Sequence, residues 1–191
     1  CVRAEVSDGD CMVIIGAGGV GSFGIQIARA MGARVIAVDI DDSKLERSLE
    51  YGAIATVNTH GMDTKESRKA VQMACKAQSF PRVKLKVLEM SGTVPGQELA
   101  WSLMSFSGVV GIVGFTLKRV EVRLSNLMAF DARAFGNWGC RPQLYTPALD
   151  MIRNGEIQVL PFIKHYPMDE INEVLDGVRS HEIGNRPVLI P

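Results

Sequence analysis

Three glycines and one aspartate carry the first chemical signal in this chain. Gly16, Gly18 and Gly21 stand in the spacing G-x-G-x-x-G, and Asp39 closes the second apolar run beyond them. Each glycine serves a different end. Gly16 permits a tight turn, Gly18 presents bare backbone that an anion can approach, and Gly21 lets a helix pack close to a strand. The amides at the helix start, around Gly19 and Val20, have no intrahelical acceptor, and with the helix dipole they favour a diphosphate. Asp39 is placed to accept a hydrogen bond from a ribose hydroxyl. Its charge repels a 2′-phosphate, which favours NAD over NADP.

These residues need a strand, a helix and a second strand to hold them. Residues 12–15 are an apolar run of strand length, residues 20–31 read as a proline-free apolar helix closed by Gly32, and residues 35–38 form the next strand. The glycine turn therefore lies in the strand–helix–strand context that the dinucleotide-binding fingerprint requires.

Further along, the same alternation continues. Residues 41–50 read as a helix capped by Asp42 or Ser43, residues 54–57 as a strand, 63–78 as a helix, 85–90 as a strand, 97–106 as a helix and 108–113 as a strand. Strands alternating with helices predict an α/β fold with a doubly wound parallel sheet, Rossmann-like. Residues 120–123 alternate as an exposed edge strand does, and residues 132–135 read as a sixth strand. Residues 147–153 are helical in pattern. The tail differs: a strand-like stretch at 159–166 broken by Pro161, an amphipathic helix at 168–178 and a strand at 187–190. We therefore divide the chain into a dinucleotide-binding domain with its lead-in, 1–154, and a C-terminal segment of a second, incomplete domain, 155–191.

Single residues outside the glycine turn say less. Lys44 reads equally as a solvated helix lysine and as an amine reaching the same ribose as Asp39. Glu89 reads as an ordinary strand-end carboxylate rather than a catalytic group, and Trp138 as a packing residue near a strand end. His60, His165 and His181 are far apart, and the four cysteines form no C-x-x-C. No metal site, catalytic triad or Tyr-x-x-x-Lys pair emerges, so the catalytic residues stay unknown and no metal ligand is assigned.

Composition narrows the class. The chain has 191 residues, 47% of them hydrophobic, and its 21 lysines and arginines balance 21 aspartates and glutamates. No basic surplus points to nucleic acid or to a membrane surface, and the apolar runs end well short of the ~18 residues a spanning helix needs. The scattered cysteines read as thiols in a reducing cytoplasm.

At GAGGVG followed by VIAVDIDDSKLERSLEYGA, the chain resembles the medium-chain, alcohol-dehydrogenase-like reductases. The stretches GMDTKESRKAVQMACK, SGTVPGQELAWSLMSFSG, LSNLMAFDARAFGNWGC and LDMIRNGEIQVLPF are similar to a narrower group, the 6-hydroxycyclohex-1-ene-1-carbonyl-CoA dehydrogenases. The resemblance implies NAD-dependent oxidation of a secondary alcohol on a ring carried by coenzyme A. It implies that Lys44 contacts the ribose and that Val113, Gly114 and Phe115 line the nicotinamide, with the turn at 137–139 facing its carboxamide. It implies zinc, where such enzymes hold one, in an N-terminal region that this sequence does not contain. The chain begins at Cys1 and is expected to be part of a larger protein, binding coenzyme without turning substrate over by itself. Its expected partners are a small-molecule substrate, an acyl-CoA on the narrower resemblance, and a second copy paired through the edge at 120–123.

Two other readings stay open on the residues alone. One is a non-catalytic NAD-sensing module. The other is a methyltransferase, because S-adenosylmethionine also sits on a glycine-rich turn with an acid after the second strand.

Overall fold

The structure is a computed structural model that describes residues 1–180 and 182–191; His181 lies outside the described residues. The chain runs β1 (Cys11–Ile15), α1 (Gly21–Ala30), β2 (Arg34–Asp39), α2 (Asp42–Glu50), β3 (Ala53–Asn58), α3 (Thr64–Ala77), β4 (Lys86–Glu89) and α4 (Val94–Ser102). It continues through β5 (Val109–Ile112), α5 (Asn126–Ala129), β6 (Arg133–Gly136), α6 (Tyr145–Arg153), β7 (Ile163–Pro167), α7 (Ile171–Arg179) and β8 (Arg186–Ile190).

Six strands form one parallel sheet in the order β3-β2-β1-β4-β5-β6. Strand side chains alternate between the two faces, and β1 shows it directly. Val13 and Ile15 pack with Val71 of α3 and Leu99 of α4, whereas Met12 and Ile14 pack with Ile25 and Ala28 of α1 and Leu45 of α2. Helices cover both faces, so all five β1 residues are buried, and the strand reads as an unbroken apolar run for that reason. This is the doubly wound parallel sheet expected from the alternation.

Several boundaries differ from the sequence pattern, each for a local reason. The cap of α2 is Asp41, not Asp42 or Ser43: its side chain accepts from the amides of Ser43 at 2.9 Å and Lys44 at 3.3 Å. Helix α4 starts earlier than expected because Thr93 caps it, accepting from Gly96 N–H at 3.1 Å, with Pro95 in its first turn. It also stops earlier, and Phe106 leaves the helical face to pair in an isolated parallel bridge with Val83. Residues 120–123 form no strand with the described residues of this chain. They lie in irregular backbone held by the Trp101 indole, which donates to the Arg123 carbonyl at 2.9 Å. Trp138 does not pack; it is 93% exposed. The lead-in, without an element in the sequence reading, makes a 3-10 turn at Val2–Ala4 that buries Ala4 completely. Its neighbours are strapped to the sheet by the ion pairs Lys86–Asp10 at 2.5 Å and Arg133–Glu5 at 2.7 Å.

The tail forms a separate parallel pair, β7 with β8. Pro161 does not break a strand there; it opens a 3-10 turn, Leu160–Phe162, before β7 begins. The turn buries Phe162 between Phe23 of α1, centroids 5.5 Å apart, and Tyr51, 4.7 Å away in an edge-on contact. Beside it, buried Gln26 exchanges two hydrogen bonds with the Gln158 backbone, donating to its carbonyl at 3.2 Å and accepting its N–H at 2.7 Å. A buried amide is tolerated because both of its ends are satisfied. Among the described residues no helix is long and apolar enough to cross a membrane.

Candidate coenzyme site

The sheet order places a switch point between β1 and β4. From β1 the chain winds outward through β2 and β3, and then returns to start β4 on the other side. Open α/β sheets bind ligands in the crevice outside the carboxyl ends of the strands at such a point. Four pieces meet there: the glycine turn after β1, Asp39 at the end of β2, residues 89–92 after β4 and residues 113–115 after β5.

The glycines have distinct surroundings. Gly16 adopts φ +90°, and a Cβ placed on it would stand 2.5 Å from the Ser91 amide nitrogen. A Cβ on Gly21 would overlap the Gly16 carbonyl oxygen, so the helix can start this close to the strand only with glycine there. Gly18 faces open space, with nothing within 4 Å of a Cβ position. Val20 is the N-cap of α1 and is half exposed; no side chain among the described residues caps that helix start. The Ser22 amide donates to the Gly18 carbonyl at 2.9 Å, and the amides of Gly19, Val20 and Gly21 before it are left for water or an anion.

Asp39 is tied to the same turn. One carboxylate oxygen accepts from Ala17 N–H at 2.6 Å, and the other from the amides of Ile40 at 2.8 Å and Asp41 at 3.2 Å. A carboxylate offers about four acceptor positions, so it retains capacity for a ribose hydroxyl while the three amides fix its aim. Lys44 does not reach Asp39 here; its ammonium lies 3.6 Å from Asp41. The Ser43 hydroxyl bonded to Asp41 holds that carboxyl below the usual carboxylate range, ahead of the lesser contribution of Lys44. Lys44 does line a narrow cleft under the turn with Ala17, Ser22, Arg47 and Tyr51.

Arg186 is the residue that sequence reasoning missed. Its guanidinium reaches within 3.2 Å of the Cβ position on Gly19, carrying a cation from the first residue of β8 onto the glycine turn. A planar guanidinium beside bare amides suits a diphosphate. The preceding residue is fixed too, since Asn185 accepts from Arg47 at 2.9 Å. No local pattern marks Arg186, because the two ends of this contact lie near opposite ends of the chain.

On the far side, the Val113 and Gly114 amides both donate to the Glu89 carbonyl, at 2.8 and 3.0 Å. Gly114 itself crosses Gly92 so closely that a Cβ on it would overlap the Gly92 amide nitrogen. Phe115, next in the chain, is 72% exposed, and its backbone packs against Gly92. A cleft of about 510 Å³ lies elsewhere, among residues such as Arg68, Trp101, Glu121 and Phe130. It shares no residue with the glycine turn, which sits in an open groove. Among the described residues no cluster of three or more His, Cys, Asp or Glu side chains could hold a metal ion.

Residues 19–154 match the family described as zinc-binding dehydrogenase. The chain belongs to this family of medium-chain, zinc-type alcohol dehydrogenases. That membership removes the methyltransferase reading. The dehydrogenase-family chain is 30% identical to sorbitol dehydrogenase of Bombyx mori over 184 residues, covering 94% of this chain and 51% of that protein. It is 30% identical to an alcohol dehydrogenase of Moraxella sp. (strain TAE123) over 193 residues, covering 97% of this chain and 52% of that one. The crystal structure of galactitol-1-phosphate dehydrogenase from Escherichia coli superposes with a TM-score of 0.83 at 23% identity, over 98% of this chain and 55% of that one, and so shares the fold. The chain spans about half the length of the curated relatives it matches.

Proposed function

We propose that this chain is the NAD-binding part of a medium-chain alcohol dehydrogenase. The observation that carries this is the open backbone at Gly18, flanked by the Arg186 guanidinium on one side and the Asp39 carboxylate on the other. The amides from Gly18 to Gly21, with Gly19 and Val20 between them, and Arg186 would hold the diphosphate. Asp39 would accept from the adenosine ribose, with Lys44 beside it, and Val113, Gly114 and Phe115 would line the nicotinamide. Bound there, the nicotinamide supplies the hydride acceptor; the protein orients it and sets the local field. Among the described residues no three His, Cys, Asp or Glu side chains gather to hold a zinc ion, and no step at a metal is assigned to them.

In the full-length enzyme we infer oxidation of a secondary alcohol in a cleft between the sheet and a second domain, to which residues 155–191 belong. The stretches resembling the 6-hydroxycyclohex-1-ene-1-carbonyl-CoA dehydrogenases support a ring alcohol carried by coenzyme A, oxidised to its 6-oxo compound. A second reading, a polyol or simple alcohol, is favoured by the names of the sorbitol and alcohol dehydrogenases that the chain matches. The alternating residues 120–123, unpaired with any described strand, support pairing with a second copy; a monomer by light scattering of the full-length protein contradicts that. A cytoplasmic site of action fits the free thiols.

Ligand that binds only the folded state raises the melting temperature, by several degrees at ~100-fold excess over Kd. NAD should do so, NADP and S-adenosylmethionine should not. Turnover of the acyl-CoA alcohol against sorbitol and ethanol by the full-length enzyme separates the two substrate readings.

A further inference from the structure

Among the described residues Glu89 is the one acidic side chain in the buried core, and its surroundings are not those of an ordinary strand-end carboxylate. It is fully buried at the end of β4. One oxygen accepts from Ser91 N–H at 2.7 Å, Gly92 N–H at 3.0 Å and the Ser91 hydroxyl. The other, Oε2, has no hydrogen-bond partner among the described residues and points at Gly114, where a Cβ would lie 2.8 Å from it. The Glu89 main chain holds the opposite loop, since its carbonyl accepts from Val113 and Gly114. Ser91 passes the contact on: its hydroxyl accepts from Thr93 N–H at 3.2 Å, and Thr93 caps α4. One residue thus grips both loops that cross at Gly92 and Gly114, with its side chain beneath one and its carbonyl on the other.

We propose that Glu89 is a positioning residue for the nicotinamide half of the crevice. It touches neither coenzyme nor substrate, and the proposal rests on the NAD reading above. Its carboxylate sets how far residues 91–92 stand from residues 113–115, and so the width of the groove floor. The adenosine half is anchored separately, through the Asp39 amide bonds and the Gly16 N–H bonded to the Val38 carbonyl at 2.7 Å. Glutamine at position 89 cannot reproduce this. If its oxygen keeps the three donors, its amide group takes the place of Oε2 and has no acceptor; if it flips, that group faces three donors. A Cβ on Gly96 would lie 2.9 Å from Oε1, which leaves the side chain no slack on the other side. The loops must move to accommodate it.

The test is a split between two ligands on the full-length protein: NADH, followed by nicotinamide fluorescence, and ADP-ribose, followed by calorimetry. Glu89→Gln should weaken NADH about tenfold and ADP-ribose less than about twofold, the scale of one hydrogen bond to a charged group. Ser91→Ala, at an exposed position that tolerates alanine, should weaken NADH about threefold and leave ADP-ribose unchanged. It reads the same split if the glutamine variant does not fold. Equal loss of both ligands, or no loss of either, in Ser91→Ala and in folded Glu89→Gln overturns the proposal. A wild-type protein that binds neither ligand overturns the coenzyme reading itself, and this proposal with it.

Discussion

The first strand–helix–strand unit and the C-terminal pair β7–β8 are built in opposite ways. All of β1 is buried and β2 nearly so, whereas β7 and β8 are mostly exposed or half buried, and Leu160, Leu175 and Ile190 face solvent. The first unit is held by a two-sided apolar core. The tail is pinned at a few points: the Phe162 ring, Ile157, the Gln26–Gln158 exchange and the Arg47–Asn185 bond. Yet the tail delivers Arg186 to the turn that the first unit builds. The glycine turn takes its shape locally, and its full charge complement only when the tail docks.

The strongest way to break this contrast lies within the glycine turn. Gly21→Ala puts a methyl group into a backbone carbonyl, and should cost about 3 kcal/mol or more in urea unfolding along with coenzyme binding. Gly18→Val enters open space and should leave stability within about 0.5 kcal/mol, while NAD no longer raises the melting temperature. Equal unfolding free energies for the two variants contradict the assignment.

Next comes the pin. Phe162→Ala should cost about 3 kcal/mol of tail docking. Hydrogen exchange should then quicken in β7 and β8 and stay slow in β1 and β2; uniform quickening contradicts independent docking. A smaller effect is expected from Asp39→Ser, which should shift the NAD/NADP preference by about tenfold toward NADP. An unchanged ratio refutes the role given to Asp39.

The smallest effect concerns the lead-in. Burial pushes the Asp10 carboxyl up, but bonds from Lys86 and Ser7 outweigh it, and the group is held below its usual range. A carboxyl depressed in the folded state stabilises at pH above its ordinary value and loses that contribution as the pH falls through the depressed one. Lys86→Met should therefore lower stability by about 1 kcal/mol at neutral pH and by less in acid, where only the Lys86 bond to the Glu5 carbonyl remains. A difference undiminished in acid contradicts the ion pair's role.

Legibility in the sequence follows the same division. The glycine turn and Asp39 could be read because they depend on contacts within one strand–helix–strand unit, where spacing and chemistry coincide. Helix α4 was displaced because the apolar spacing of Leu99, Leu103 and Phe106 outweighed the quieter signals of Thr93 and Pro95. Trp138 read as core from its type alone, and only the tertiary fold shows it bare. Arg186 and the burial of Glu89 left no local trace. One needs the tail folded back over the turn, and the other needs two crossing loops that only glycines permit.

A structure determined with NAD at saturating concentration tests the assignment most directly. The diphosphate should rest on the amides between Gly18 and Gly21 against Arg186, with an adenosine ribose hydroxyl bonded to Asp39. Coenzyme lying elsewhere, or a ribose turned away from Asp39, contradicts it.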